Sequence, residues 1–397
     1  MANTILTPTA VTRKALAILH QKLNFIGSIN RQYDNSYAQT GAKIGDSLKI
    51  RLPNEFTIRS GASLSTQDVA ETSVTMQVAT QKGVDMTFPT AELSTSIDDF
   101  ADRFLEPAMS VLAANVEADA LSMYKDVYNL YDGDAAAFAF GSVSAATTTL
   151  SKMLAPESRR TMLLNLDHAQ KFRTDTKGLF HSAENISKQY RDGVIGMTSG
   201  FEMAENTLLV PHTTGTAAKT TAYLVNGGSQ SGATLTVDTG STTFLVGDVI
   251  TIANVFRVHP ETKVTTSDLQ QFVVTANSGT SATSLSISPA IVTSGARQNV
   301  SGSPADNAAI TKVGAGASET LTQSLAYHKN AFAFATVDLE DVSKYGAWGA
   351  REVFDGISMR IARQYAIGTD TIPCRIDILY GYKTIRPQLA VRVHNDG

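Results

Sequence analysis

Thr7 followed by Pro8 reads as a helix start, because Thr caps a free N–H and Pro lacks the donor that the first turn cannot use. Val11, Ala15, Ile18, Leu19 and Leu23 then recur at helical spacing until Gly27. This predicts an amphipathic N-terminal helix whose narrow apolar stripe runs beside Arg13, Lys14 and Lys22, a surface suited to docking on a neighbour or a helical partner. Between Gly45 and Phe88 the period changes to two. Leu48, Ile50 and Leu52 alternate with Lys49 and Arg51, and Val74, Met76 and Val78 alternate with Thr75 and Gln77. The segment reads as a long hairpin, with Arg59 near its Ser60-Gly61 turn. A two-stranded ribbon is marginal in water, so its apolar faces need a surface elsewhere. Its alternating cations also suit an edge that avoids unwanted pairing.

Ser96 and Asp99 have capping-box spacing and open a predicted helix carrying Ile97, Phe100 and Phe104, which Pro107 interrupts. Apolar positions then continue from Val111 through Tyr124 and Tyr128 to Tyr131, predicting a helix roughly 35 Å long that ends at Gly133. Residues 134–222 mix short elements: MLLNLDHAQKF reads as a strand leading into a helix, and TLLVPH as a buried strand. From Tyr223 to Ile310 only eight residues are charged, and short runs rich in β-formers alternate with turn signals, which predicts an all-β module. Its ends lie in Thr/Ala/Gly-rich links, so few contacts need cross them. AFAFATVDL, ISMRIARQYAI, PCRIDILYGYKTIRP and LAVRV then return to longer strands, as expected if the β module is inserted into a parent α+β domain.

Composition narrows the classes. The 397 residues are 43% hydrophobic and 18% charged, a globular make-up with room for two or three folding units. With 33 Lys plus Arg against 37 Asp plus Glu, the formal charge of -4 cannot neutralise many phosphates, so tight nucleic-acid binding is not expected. A container that must not adhere to its nucleic acid remains allowed. Cys374 is the single cysteine, which precludes an intrachain disulfide and fits a reducing compartment. The N-terminal stretch lacks the apolar core of a secretory signal, and no run is long and apolar enough to span a membrane, so cytoplasmic synthesis and no membrane partner are expected.

Gly45-Asp46-Ser47-Leu48 spells an esterase nucleophile motif, yet none of the seven His residues has Asp three positions earlier, and Ser47 leads into a strand instead of a strand-to-helix elbow. No His pair has metal-ligand spacing, and Gly314-Ala315-Gly316 lacks a third glycine for a phosphate loop, so no catalytic, metal or cofactor site is expected. Asp98 with Asp99, and Glu117 with Asp119, are adjacent carboxylates; the first pair suits a helix N-terminus. Trp348 reads as a core anchor.

Four stretches carry a family resemblance: AANVEADALSMY (113–124), YRDGVIGMTSGFEMAENTLLVPHTTGTA (190–217), GDVITIANVFRV with LQQFVVT and LSISPAIV, and CRIDILYGYKTIRPQLAVRV (374–393). Together they resemble the major capsid (coat) proteins of short-tailed double-stranded-DNA bacteriophages, of the kind that carries a β-barrel domain inserted into the Hong Kong 97-type capsid fold. The resemblance implies an N-arm over 1–44, an extended β-hairpin loop over 45–95 and a spine helix of the peripheral domain over 96–133. It further implies peripheral and axial segments over 134–222, an inserted barrel over 223–313 and return strands over 314–397. Family members can carry a charged loop on the inserted domain that contacts a neighbouring capsomer; this segment has few charges. The implied function is self-assembly into pentamers and hexamers of an icosahedral shell that encloses packaged DNA without binding it specifically. A separate scaffolding protein and a portal protein are the implied partners, and the virion, assembled in the host bacterial cytoplasm, is the implied location. Ile18, Leu19, Lys49, Arg51 and Arg59 are the expected intersubunit contacts. The alternatives are an encapsulin-like compartment of the same fold and a serine hydrolase.

Overall fold

The computed structural model describes residues 11–16, 23–31, 47–64, 66–67, 71–89, 106–133, 136–176, 196–314, 316–339, 342–346, 348–354, 357–368 and 371–395. The chain divides into two compact units, one made of Met1–Ile50, Ser73–Ser122 and Phe332–Ile385, the other of Arg51–Thr72, Met123–Ala331 and Arg386–Gly397.

The first unit is organised by the strand Thr371–Thr384. Ile372, Cys374, Ile376, Ile378 and Tyr380 alternate along it, as the pattern predicts, and both faces become buried from Ile376 to Gly381. Its antiparallel partners are Thr80–Pro89 over Thr371 to Tyr380, Ile357–Arg363 over Cys374 to Asp377, and Phe332–Val337 over Leu379 to Thr384. Trp348–Phe354 pairs with Ile357–Arg363, and the Arg363 guanidinium stacks 3.6 Å from the Trp348 ring centroid; Trp348 is only half-buried there, so it packs against a cation at the rim and is not the core anchor expected of it. The helix Glu106–Leu121 has Pro107 in its first turn, where no N–H is needed. It buries Met109, Leu112, Ala113, Val116 and Ala120, and Asp119 bridges Lys82 Nζ at 2.7 Å and the Tyr380 hydroxyl at 2.5 Å. Glu117, buried, accepts the Phe25 N–H at 3.2 Å. These adjacent carboxylates therefore pin neighbouring elements to the helix.

Residues 11–16 are helical, with Val11 and Ala15 buried in their own unit and Arg13 3.3 Å from Glu352. The upper half of the expected docking stripe is thus already covered by its own chain. Ile18, Leu19 and the capping box at Ser96 lie outside the described residues.

The second unit joins a six-stranded sheet to a closed six-stranded barrel. The sheet runs in the order Leu130–Asp132, Ala390–His394, Gln323–His328, Arg160–Leu164, Phe201–Glu205 and Met197–Thr198, with helices Phe140–Lys152 and Leu166–Thr176 in the same unit. The barrel strands are Thr220–Val225, Gly232–Asp238, Val249–Val258, Thr265–Val274, Ser284–Ile291 and Ala309–Val313. Their inward residues, among them Tyr223, Leu235, Ile250, Phe272 and Ile310, form one core with Phe244 from a connecting loop. The first strand begins three residues before the Tyr223 boundary read from composition.

Two expected elements fail, each through the hydrogen bonds of an asparagine, one to a remote strand and one to its own turn. The long helix ends at Leu121, passes through a 3-10 turn at Ser122–Asp126 and becomes the strand Leu130–Asp132. Asn129 draws the chain into the sheet: its carbonyl accepts the Arg392 N–H at 2.9 Å and its amide donates to Ala390 O at 3.0 Å. TLLVPH is no buried strand, because Asn206 Oδ1 accepts the Leu208 N–H at 2.7 Å to form a turn that leaves Val210 exposed.

A Cβ at Gly381 would lie 2.4 Å from Gln77 O and 2.9 Å from Val78 Cα, both backbone atoms. Gly381→Ala is therefore expected to destabilise the first unit by about 1–3 kcal/mol, measured as a lower denaturant midpoint.

Candidate functional site

The inserted barrel is rooted on a two-strand stem. His212–Thr213 enters and Thr320–Leu321 leaves, paired antiparallel as Leu321 with His212 and Thr320 with Thr213. Above the stem sits Asp248, buried, with Oδ2 accepting the N–H groups of Gly215 at 3.0 Å and Leu245 at 2.9 Å. Its Oδ1 lies 3.1 Å from His212 Nε2, and His212 Nδ1 lies 3.3 Å from the Tyr124 hydroxyl. A neutral His212 protonated on Nε2 satisfies both contacts. Arg392, from the parent sheet, donates to Gly247 O at 2.8 Å, with its guanidinium 5.9 Å from the Tyr124 ring centroid. Lys312, from the last barrel strand, donates to Gly316 O at 2.6 Å.

Burial governs the ionisation of this group. It lowers His212 against the opposing hydrogen bond from Asp248, lowers Lys312, and pulls Arg392 down to about 10. Burial would by itself raise the Asp248 carboxyl, but the hydrogen bonds from His212, Leu245 and Gly215 together outweigh it and hold the carboxyl below its ordinary value. Tyr124 is raised by burial, so it stays a neutral donor. The acid, imidazole and hydroxyl are in line, yet buried, and what they do is fasten the barrel to the sheet.

The rest of the joint is broad. The Gln271 side chain takes the place of a strand partner for Leu130, accepting its N–H at 2.8 Å and donating to its carbonyl at 2.8 Å. Asp268 receives Lys152 at 2.7 Å and Arg257 at 2.8 Å, the Lys152 hydrogen bond doing most to keep its carboxyl low. Tyr128, Leu130, Met153, Val249 and Val273 pack beneath. The expectation that few contacts cross to the barrel is therefore wrong. Residues Asp248, His212 and Arg392 are far apart in sequence, and no spacing motif joins them.

The sequence-predicted contact residues lie elsewhere. Lys49, Arg51 and Arg59 are exposed on the hairpin; Arg51 is 3.4 Å from Glu71, and Arg59 donates to the Gly61 carbonyl. The base of the hairpin finds a core within its own chain, since Ile50, Met76 and Val78 are buried. Towards the tip, Phe56, Ile58 and Leu64 are 61%, 94% and 84% exposed. Ser47 is exposed at the start of the strand Ser47–Arg51, and Gly45 and Asp46 lie outside the described residues. Among the described residues no group of three or more His, Cys, Asp or Glu could hold a metal, and no helix is long and apolar enough to cross a membrane.

Residues 21–393 match the family model described as P22 coat protein, gene protein 5. The chain belongs to the P22 coat protein family. As a member of it, the chain is a phage major capsid protein, a structural component of the virion shell. The expected α+β capsid fold with an inserted barrel holds. Similar solved structures include one from Mycobacterium phage Che8, at 12% identity over 92% of this chain and 89% of that chain with TM-score 0.48. The CUS-3 coat protein I-domain is 33% identical over 24% of this chain and 96% of that chain, with TM-score 0.20. A virus-like particle from Pyrococcus furiosus is 6% identical over 97% of this chain and 98% of that chain, with TM-score 0.41. No curated protein matches.

Two predictions concern the coat protein's second unit. Asp248→Ala strands the His212 N–H and the two backbone donors, so it should cost about 3–5 kcal/mol in urea unfolding, far more than an exposed acid such as Glu261→Ala. The second concerns acid. His168, buried against Phe138 and bonded to Ser324 Oγ at 2.8 Å, is held by burial down to about 4. A folded value below the unfolded one means that the unfolded chain binds the proton better. Its contribution is complete above about pH 6.5 and is lost as pH falls towards 4, by about 3 kcal/mol. His212 and His328, also depressed, act in the same direction. His168→Gln should flatten the unfolding free energy between pH 6.5 and 4; an unchanged slope would refute this.

Proposed function

We propose that copies of this chain assemble into pentamers and hexamers of an icosahedral shell enclosing the packaged double-stranded DNA of a tailed phage, within the host cytoplasm. A scaffolding protein in trans sets the ratio of the two environments, because identical chains must adopt both and nothing in one sequence fixes their proportion. A portal protein occupies the entry. The observation that supports the reading is the hairpin tip. Phe56, Ile58 and Leu64 stand in solvent on one extended segment, beside the exposed cations Lys49, Arg51 and Arg59. Covering three such side chains on a neighbouring copy would stabilise each contact by roughly 5–8 kcal/mol before ordering costs. The formal charge of -4 per chain suits a wall that DNA must slide past during filling.

Expression of the chain with and without its neighbouring phage genes, followed by electron microscopy, tests this. Uniform heads are expected only with the scaffolding partner, and mixed or aberrant shells without it. Purified particles should carry a genome and a portal; an enzyme cargo would favour the compartment alternative. Phe56→Ser with Ile58→Ser and Leu64→Ser should abolish shells, read by sedimentation, while the melting temperature of the unassembled subunit stays within about 2 °C of the parent. Normal shells from that variant would sink the proposal that the tip makes the contact.

A further inference from the structure

The hairpin also touches the barrel of its own chain. Glu55 Oε2 lies 3.8 Å from Lys263 Nζ, and Arg297 Nη2 donates to Thr72 Oγ1 at 3.0 Å. Lys263 is held in place: it sits in the left-handed region at φ 59°, its N–H donates to His259 O at 3.0 Å, and its Nζ reaches Gln298 O at 3.3 Å. Across the hairpin, Gln67 ties Thr57 through both amide groups, accepting its N–H at 2.8 Å and donating to its carbonyl at 2.5 Å. The two sides therefore move as one piece, gripped at Glu55 and Thr72.

Glu55 forms part of the wall of a groove of about 410 Å³. Its other charged members are Arg257, Lys263, Arg297, Arg386 and Glu261, four cations against one acid. Asp268 pairs with Arg257, and Lys263 and Arg297 are the cations that meet the hairpin, at Glu55 and Thr72. The hairpin thus closes one side of the groove, with its carboxylate set against the barrel's cations.

From this geometry we infer that the barrel face at Lys263 and Arg297 is a docking site for the chain's own hairpin, which is stowed there in the unassembled subunit and released to a neighbour as the shell forms. The inference rests on the shell function proposed above. Phe56, Ile58 and Leu64 stay in solvent while the hairpin is stowed, so the contact holds the tip without burying it. Two polar contacts at the surface, one of them with a partly covered lysine, shift such an equilibrium by only about two- to tenfold. That is weak enough to yield to apolar burial on a neighbour. It is strong enough to lower the concentration of competent subunits, since apparent affinity falls with the fraction released.

Zero-length carbodiimide coupling of the full-length, unassembled chain, mixed with isotopically labelled chain, tests the docking directly. A Glu55–Lys263 amide within one chain is expected by peptide mass spectrometry, and its yield should fall in shells. An amide only between chains, none at all, or an equal yield in shells would overturn the inference. Lys263→Gln with Arg297→Gln should shorten the assembly lag about two- to tenfold, and Glu55→Lys should reverse the effect of Lys263→Glu on that lag. An unchanged lag in the Gln variant, with unchanged melting temperature, overturns the regulatory role. Failure of the parent chain to form shells even with its scaffolding partner would instead remove the proposed function, while the coupling still reports the docking.

Discussion

Asp248 and Arg392 are charges taken out of water at the point where an inserted domain meets its host, and everything in the second unit is arranged to make that tolerable. A buried carboxylate is stable only where donors replace its hydration. Asp248 has three: the backbone N–H groups of Gly215, between stem and barrel, and of Leu245, in the barrel, and the imidazole of the stem. Arg392 is less completely satisfied, with one strong bond to Gly247 O and an unpartnered Nε, and it leans on the Tyr124 ring and the nearby carboxylate. Undoing the joint would leave groups on both sides without partners. The barrel is therefore welded to the sheet, and a flexible appendage is not what this arrangement makes.

The hairpin obeys the opposite constraint. Its base is fixed by Ile50, Met76 and Val78, but its tip carries three large apolar side chains that are exposed among the described residues. Single exposed apolar residues are ordinary on a soluble protein; three on one ribbon that is marginal in isolation are not. A coat protein can carry this feature because its working state is an array of copies. The same residues would be a liability in a monomer, and the acidic net charge and the cations along the strand both discourage indiscriminate association.

Much of this was legible in the sequence where a periodic signal acts locally. Alternation announced the strand Thr371–Thr384, and the scarcity of charge with repeated turn signals announced the barrel. The four motif stretches located the family. What escaped was set by partners remote in sequence. Nothing at Tyr124 to Tyr131 says that Asn129 will bond to Ala390, so the helical spacing runs on past the helix end at Leu121. The stem was equally hidden, with His212 and Asp248 separated by 36 positions. A faint signal did exist: Asp248 in Val246-Gly247-Asp248-Val249, Lys312 between Thr311 and Val313, and Arg392 between Val391 and Val393 are single charges inside β-forming runs. A charge in such a run must find a partner or face solvent, and here all three are buried.

The two kinds of contact differ in strength in the direction that shell building requires. A subunit must keep its shape through many encounters, so the bonds that define it should be those whose loss leaves buried groups unpaired, costing about 3–5 kcal/mol each. Contacts that position the hairpin must be reversible, because a shell of identical chains corrects a misplaced copy only by letting it leave. Surface pairs such as Arg51 with Glu71, and the long Glu55–Lys263 contact at 3.8 Å, lie at the weak end, about 0–1 kcal/mol. Their strength also falls with added salt, whereas that of the buried network does not, since screening acts only where ions can reach. Salt should therefore move the hairpin's distribution without loosening the barrel, which separates subunit integrity from assembly competence by a physical variable and not merely by position in the chain.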